Sequence, residues 1–253
     1  MLRLGVLGGT GLASDAGEAL QVETPWGEVE VRHARLDRLE VFDVARHAGG
    51  HAVPPHRIRH RANVEALARC RVDRVVALNA VGALDPAIAP GDLVVPDDYL
   101  DLSGHPERTF YDDAPVHVDV AEAYCPRTRR ALVDAAREAG LRFVDGGVYV
   151  AAPGPRLETR AEVRALKTLG GTVVGMTGCP EAALARERCL CYASLCVVAN
   201  AAAGLAAPLP ADRIREAARA SAEVARRVVL GAAARLPPAG GCACAEALAG
   251  ARL

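Results

Sequence analysis

The sequence predicts an α/β layer fold with a substantially parallel sheet. Short strand-like runs alternate with helical patterns along the chain. The 253 residues, 51% hydrophobic and 24% charged, suit one large domain with a well-buried core. No repeat and no long linker interrupts the pattern.

The strand-like runs fall at residues 2–7, 28–33, 39–45, 72–78, 92–96, 147–151, 172–175 and 192–199. Helical patterns lie between them, near 61–70, 126–140, 159–169, 180–188 and 211–235. The helix at 159–169 opens with Thr159-Arg160-Ala161-Glu162, the spacing of a capping box. The one at 180–188 begins with Pro180, which suits a first helical position. In sheets of this kind ligand sites collect at the carboxyl ends of strands.

Composition excludes several functions. A formal net charge of −1 leaves no basic footprint for nucleic acid. Lys167 is the single lysine, so Schiff-base chemistry would rest on it alone, and the glycine-rich loop near the N-terminus lacks a P-loop lysine. No run of about 18 apolar residues implies a membrane span, and no secretory apolar region precedes a cleavage site. The expectation is a cytoplasmic protein. The eight cysteines fit it. Cys70, Cys179, Cys189, Cys191 and Cys196 lie in apolar or helical stretches, where a free cysteine acts as a small hydrophobe. Cys242-Ala243-Cys244 stands apart. With no histidine or second cysteine pair near it in sequence, and with Pro-Pro-Ala-Gly-Gly before it, it reads as part of a mobile tail. The expected division is a domain over 1–236 and a tail over 237–253.

The loop Gly8-Gly9-Thr10-Gly11 follows the first strand. A dinucleotide fingerprint would need a glycine where Ser14 stands. What remains is a plain glycine turn or a nest of backbone N–H groups and a hydroxyl for a small anion. Two more strand ends add anion donors. Arg46 and His47 close one strand, and Arg brings a fork of donors to an oxyanion. Leu78-Asn79-Ala80-Val81-Gly82-Ala83 closes another with small residues.

In order along the chain stand GGTG, ARH, PPHxIxxxAN, NAVGAL, PGDLVVPDDYLD, GPRLETRAE, GMTGCPE and VVAN. This series resembles the trimeric purine nucleoside phosphorylase and methylthioadenosine phosphorylase family. It runs from about residue 4 to about residue 204, with helical continuation to about 236. The resemblance implies a single α/β domain around a mixed, partly barrel-like sheet. It also implies a homotrimer, no metal or organic cofactor, and inorganic phosphate as a substrate. Carried over by motif, Thr10, Arg46, His47, Asn79, Ala80 and Thr177 would cradle phosphate. Met176 would pack on the ribose, and His117 would reach a neighbouring subunit's site. Glu158 and Asn200, with Ala202 beside them, would face the purine, and Asn200 and His47 would be the catalytic pair. The chemistry suits these residue types. Phosphorolysis needs an anion held on one face of a cationic ribose and a leaving purine stabilised on the other.

Family members acting on 6-aminopurines carry aspartates after the last central strand, whereas this chain has Asn200. An asparagine amide donates to a 6-oxo group and accepts from N7–H. Glu158 would accept the N1–H of an oxopurine; otherwise it is a favourable charge at a helix N-terminus. On the 5′ side no histidine follows His117, and small apolar residues such as Leu209 and Ala211 would line the pocket. An oxopurine clamp with an apolar 5′ pocket resembles the bacterial S-methyl-5′-thioinosine phosphorylases. The expected reaction is therefore phosphorolysis of S-methyl-5′-thioinosine. A general 6-oxopurine nucleoside phosphorylase comes next and a methylthioadenosine phosphorylase third. A mere nucleoside-binding protein would not need Arg46, His47 and Thr177.

Overall fold

The computed structural model describes residues 1–8, 17–48, 52–205, 211–238 and 240–252. Thr10, Ser14 and Leu209, singled out above, lie outside the described residues.

The strands are β1 (Leu2–Gly8), β2 (Glu18–Val22), β3 (Val29–Leu36), β4 (Leu39–Ala45), β5 (Arg74–Ala83), β6 (Leu93–Val95), β7 (Asp98–Asp101), β8 (Phe143–Asp145), β9 (Val148–Ala151), β10 (Gly171–Gly175) and β11 (Cys191–Ala201). The helices are α1 (His60–Arg69), α2 (Pro126–Glu138), α3 (Arg160–Thr168), α4 (Glu181–Glu187) and α5 (Ala211–Ala233). All five helices expected from the sequence form. The capping box of α3 is present in full: Glu162 N–H donates to the Thr159 hydroxyl at 3.1 Å, and Thr159 N–H to the Glu162 carboxylate at 2.6 Å. Strands β2, β7 and β8 are additions. They are short, they lie at an edge or a bend, and they bury too little apolar surface to show a period.

Strand β5 organises the sheet. It runs parallel to β1 on one side and to β11 on the other, and β1 runs parallel to β4. Beyond the end of β1, β5 pairs antiparallel with β10. Strand β11 continues to β6, β6 to β8, and the chain passes from β8 into β9, which pairs with β10. The strands thereby return on β5, and the sheet is mixed and partly closed into a barrel, as the resemblance implies.

Alternation along the central strands assigns side chains to two layers. Leu4, Val6, Val76, Ala193 and Leu195 face α2 and α5. Leu7, Val75, Ala77 and Tyr192 face α1 and α4. This is the period of two that a strand covered on both faces requires. Val81, Val94, Tyr149, Val173 and Val198 fill the closed part. The parallel strands β1, β4, β5 and β11 end on the same side, which brings the motif-bearing segments to one rim. Among the described residues no helix is long and apolar enough to cross a membrane.

Candidate active site

Strand β4 delivers Arg46 to the rim, where its N–H donates to the Gly8 carbonyl at 2.9 Å. The side chain is buried. Nε and Nη2 grip the Glu181 carboxylate at 2.5 and 2.8 Å, and Nη1 donates to the Leu78 carbonyl at 2.7 Å. These bonds use three of the five guanidinium N–H donors. Burial disfavours both charges, but each offsets the cost to the other. The Arg46 guanidinium is held more firmly charged than usual, and Glu181 is pulled down to about 2. Tyr192 donates to Glu181 at 3.0 Å, and His60 Nδ1 lies 3.4 Å from it. Glu181, the first residue of α4, is fully buried and fixes the angle at which Arg46 meets the rim.

His47 Nδ1 lies 2.7 Å from the Val53 carbonyl and donates to it. That bond settles the ring's tautomer, so Nε2 accepts when the ring is neutral and donates when it is protonated. Asn79, buried in the middle of β5 just beyond the stretch that pairs with β1, donates to Ser194 Oγ at 2.7 Å and accepts from the Thr177 hydroxyl at 3.1 Å. Asn79 thus orients Thr177. Ala80, the next residue, is exposed at the rim.

Tyr149 shapes the GMTG turn from beneath. Its hydroxyl accepts from Thr177 N–H at 3.2 Å and Gly178 N–H at 3.0 Å. A Cβ on Gly175 would fall 2.5 Å from that hydroxyl, and one on Gly178 would fall 2.9 Å from the ring. The two glycines are there because the backbone lies directly on the tyrosine. Met176 projects from the same turn against Gly154, whose φ of 52° disfavours a side chain and where an added Cβ would fall 2.7 Å from Met176 Sδ.

Toward the other end of the rim, β11 slips by one residue between Val198 and Asn200, so Asn200 pairs with Gly82. Such bulges re-aim side chains next to functional sites. The Asn200 amide donates to the Ala201 carbonyl at 2.6 Å. Ala202 is buried, with its N–H on the Ala83 carbonyl at 2.8 Å. The chain then returns to the start of α3, where Gly204 lies against Arg160. Glu158 precedes that helix and is half-buried, and burial raises its carboxyl above the ordinary value. It is not the capping acid, because Glu162 fills that role and also pairs with Arg156 at 2.7 Å.

Arg46, His47, Asn79, Ala80, Met176 and Thr177 therefore gather on one rim, past the ends of β1, β4 and β10 and along the middle of β5, with Asn200 and Ala202 at the end of β11. His117 does not join them within the chain. It is exposed, its N–H donates to the Ala251 carbonyl at 2.8 Å, and Val116 bridges Arg252. The sequence reading missed Glu181, Tyr192, Ser194 and Tyr149. The signal for Glu181 was present, since an arginine at the end of an apolar strand needs a buried counter-charge.

The Phosphorylase superfamily model matches residues 3–234. The chain belongs to the phosphorylase superfamily. It is 42% identical, over 99% of both chains, to the 6-oxopurine nucleoside phosphorylase of Pyrococcus furiosus. It is 43% identical, over the whole of both, to the probable S-methyl-5′-thioinosine phosphorylase of Methanopyrus kandleri. Among solved structures it superposes with a TM-score of 0.93, at 29% identity, on a methylthioadenosine phosphorylase from an Antarctic soil metagenomic library. That match covers all of this chain and 92% of the other. The methylthioadenosine phosphorylase of Schistosoma mansoni, in complex with tubercidin, gives a TM-score of 0.87 at 30% identity. It covers 93% of this chain and 92% of that one.

Proposed function

We propose that the chain catalyses phosphorolysis of S-methyl-5′-thioinosine, giving hypoxanthine and 5-methylthioribose 1-phosphate. Its family makes it a purine nucleoside phosphorylase; the substrate is our reading. Phosphate sits between Arg46, His47 and Thr177, with the Thr10 hydroxyl as a further donor. A phosphate oxygen bonds to C1′ as the C1′–N9 bond breaks, and the electron pair leaves with the purine. Arg46 and Thr177 hold the nucleophile in place. Asn200 stabilises the departing base through O6 and N7, and Met176 packs on the ribose. Phosphate is itself the nucleophile, so the reaction needs no resident cofactor.

What carries the oxopurine reading is the presence of Asn200 at the end of β11 together with Glu158, a half-buried carboxylate left out of the helix cap. An oxopurine offers it N1–H, whereas an aminopurine presents a bare N1, acceptor against acceptor. The small apolar residues that the sequence offers for the 5′ side, Leu209 and Ala211, favour a methylthio group over a hydroxyl. One methylene-sized contact is worth about 1–3 kcal/mol, so methylthioinosine should exceed inosine at least tenfold in kcat/KM. The test is phosphate-dependent base release from methylthioinosine, inosine, guanosine and methylthioadenosine, followed by absorbance. Equal efficiency on inosine would favour the general 6-oxopurine enzyme, the activity named for the Pyrococcus furiosus relative. A preference for methylthioadenosine would overturn both readings. We further propose a cytoplasmic salvage enzyme acting as a homotrimer, with His117 completing a neighbour's ribose pocket.

A further inference from the structure

The tail suggested by the sequence packs on the body instead. Residues 243–246 form a turn of 3-10 helix, and Cys244 and Ala251 are buried. The fold brings Cys242 and Cys244 to Cys125, which precedes α2, and to Cys191, the first residue of β11. All four are free thiols. Their sulfurs lie within 4.8 Å of one another, with Cys191–Cys242 at 3.3 Å and Cys125–Cys242 at 3.9 Å. Four thiolates at about 2.3 Å from one tetrahedral zinc stand about 3.8 Å apart. Three of the four are buried, and together they form a small cluster separate from the main core.

Charge gives a second, independent observation. Arg74 is fully buried, and its Nη1 lies 3.8 Å from Cys125 Sγ. Its other partners are Thr128 Oγ1 and the carbonyls of Pro237 and Gly240. Arg186, also buried, has Nη1 3.7 Å from Cys244 Sγ and bonds the Glu122 carbonyl through Nη2. Among the described residues neither has a carboxylate partner. Two buried guanidinium groups facing four neutral thiols are uncompensated, and burying an unpaired charge is costly. Four thiolates around one divalent ion carry a net charge of −2, which two arginines balance.

We propose that Cys125, Cys191, Cys242 and Cys244 form a structural tetrathiolate site for a zinc-class divalent cation. Binding displaces the four thiol protons, and Arg74 and Arg186 neutralise the resulting complex. The ion ties the 242–244 turn to the starts of α2 and β11. It takes no part in phosphorolysis: Asn200 lies nine positions farther along β11, roughly 30 Å at the rise of a strand. The site thus adds a structural metal to a family whose resemblance implies none.

The test uses the full-length protein purified under reducing conditions without chelator. Elemental analysis should find about one zinc per chain. Cobalt(II) in its place should give thiolate-to-cobalt charge transfer in the near ultraviolet and intense tetrahedral bands in the visible. Cys242→Ser and Cys244→Ser should each reduce bound zinc at least tenfold. Chelation should lower the thermal midpoint of the wild type and leave that of Cys244→Ser unchanged. Folded wild-type protein with no zinc and no thiolate–cobalt spectrum overturns the proposal. Mass spectrometry that finds the four cysteines paired as disulfides in protein isolated from the cell overturns it as well.

Discussion

The two ends of the rim are built differently. At the end proposed to hold phosphate, polar side chains among the described residues are tied to one another: Arg46 with Glu181 and Leu78, Glu181 also with Tyr192, Thr177 with Asn79, and Asn79 with Ser194. Most of these groups are buried, and Tyr149 fixes the backbone beneath them. At the end proposed to hold the purine, the polar groups Asn200, Glu158 and His117 are half-buried or exposed. Among the described residues Asn200 bonds only its neighbour's carbonyl, burial raises the Glu158 carboxyl, and His117 is exposed. The difference fits what the proposed reaction asks of each end. Phosphate has one shape and one charge, so its donors can be locked in advance, and preorganised donors need no reorganisation during reaction. Nucleobases and 5′ groups vary, and the end proposed to read them rests on short loops and a bulge that a few substitutions can change.

The largest effect should come from breaking the locked end. Arg46→Ala removes the proposed phosphate donor and also strands Glu181 as a buried carboxylate without its cation. Removing one partner of a buried pair costs about 3–5 kcal/mol. The phosphate requirement should rise at least tenfold, and the protein should unfold at clearly lower urea. Adding Glu181→Gln should restore much of the stability and none of the phosphate affinity. If Arg46→Ala alone is as stable as wild type, the pair is not the lock. The pH dependence has a fixed sign. Glu181 is depressed to about 2, so its contribution is full above the ordinary carboxylate range and lost as pH falls toward about 2.

A smaller effect should come from retuning the open end. Asn200→Asp supplies an acceptor for a 6-amino group and, when protonated, a donor for N7. Mismatched buried polar groups cost about 1–3 kcal/mol each. The ratio of efficiencies on methylthioinosine and methylthioadenosine should therefore fall by about tenfold, with the thermal midpoint nearly unchanged. A ratio left untouched would mean that Asn200 does not read the 6-position.

The same contrast explains what was legible in the sequence. Strand–helix alternation showed the layers, because their apolar periods are set by burial on both sheet faces. Arg46 and Thr177 could be singled out because their motifs follow strand ends, and the fold places both on the same rim. Glu181 was missed although GMTGCPE contains it, because its role depends on an arginine 135 positions away. Tyr149 and Ser194 were missed because an aromatic or a serine in an apolar strand looks like any core residue. The turn at Cys242 and Cys244 read as a tail because its partners, Cys125 and Cys191, are remote in sequence and near only in the fold.

Glu158 tests the open end through pH. Burial raises its carboxyl above the ordinary value. The ionised form accepts N1–H, so kcat/KM for an oxopurine nucleoside should fall on the acid side, with a limb above the usual carboxylate range. Glu158→Gln keeps a carbonyl acceptor that does not titrate, and should flatten that limb while lowering the plateau severalfold. Because the shift is upward, ionising Glu158 weakens the folded state above its unfolded pKa, so the neutral variant should melt slightly higher at neutral pH. An acid limb that survives in Glu158→Gln would assign it to another group.

The smallest signal should come from His117, which the proposal assigns to a neighbour's site. In a trimer, a His117→Ala subunit keeps its own Thr177 but denies its neighbour a histidine. A Thr177→Ala subunit has the reverse defect. Each variant alone should be weakly active. Random exchange of equal amounts in a closed trimer makes about a quarter of the sites intact, because a site needs a Thr177-bearing host beside a His117-bearing neighbour. Mixed subunits should therefore recover about a quarter of the wild-type activity after exchange is verified by mass. The exposed position of His117, beside the chain's last described residues, makes this the sharpest test of where the open end stops. If exchange is complete and activity stays at the level of the separate variants, the purine end is finished within one chain. Its loose partnering would then need a cause other than a neighbouring subunit.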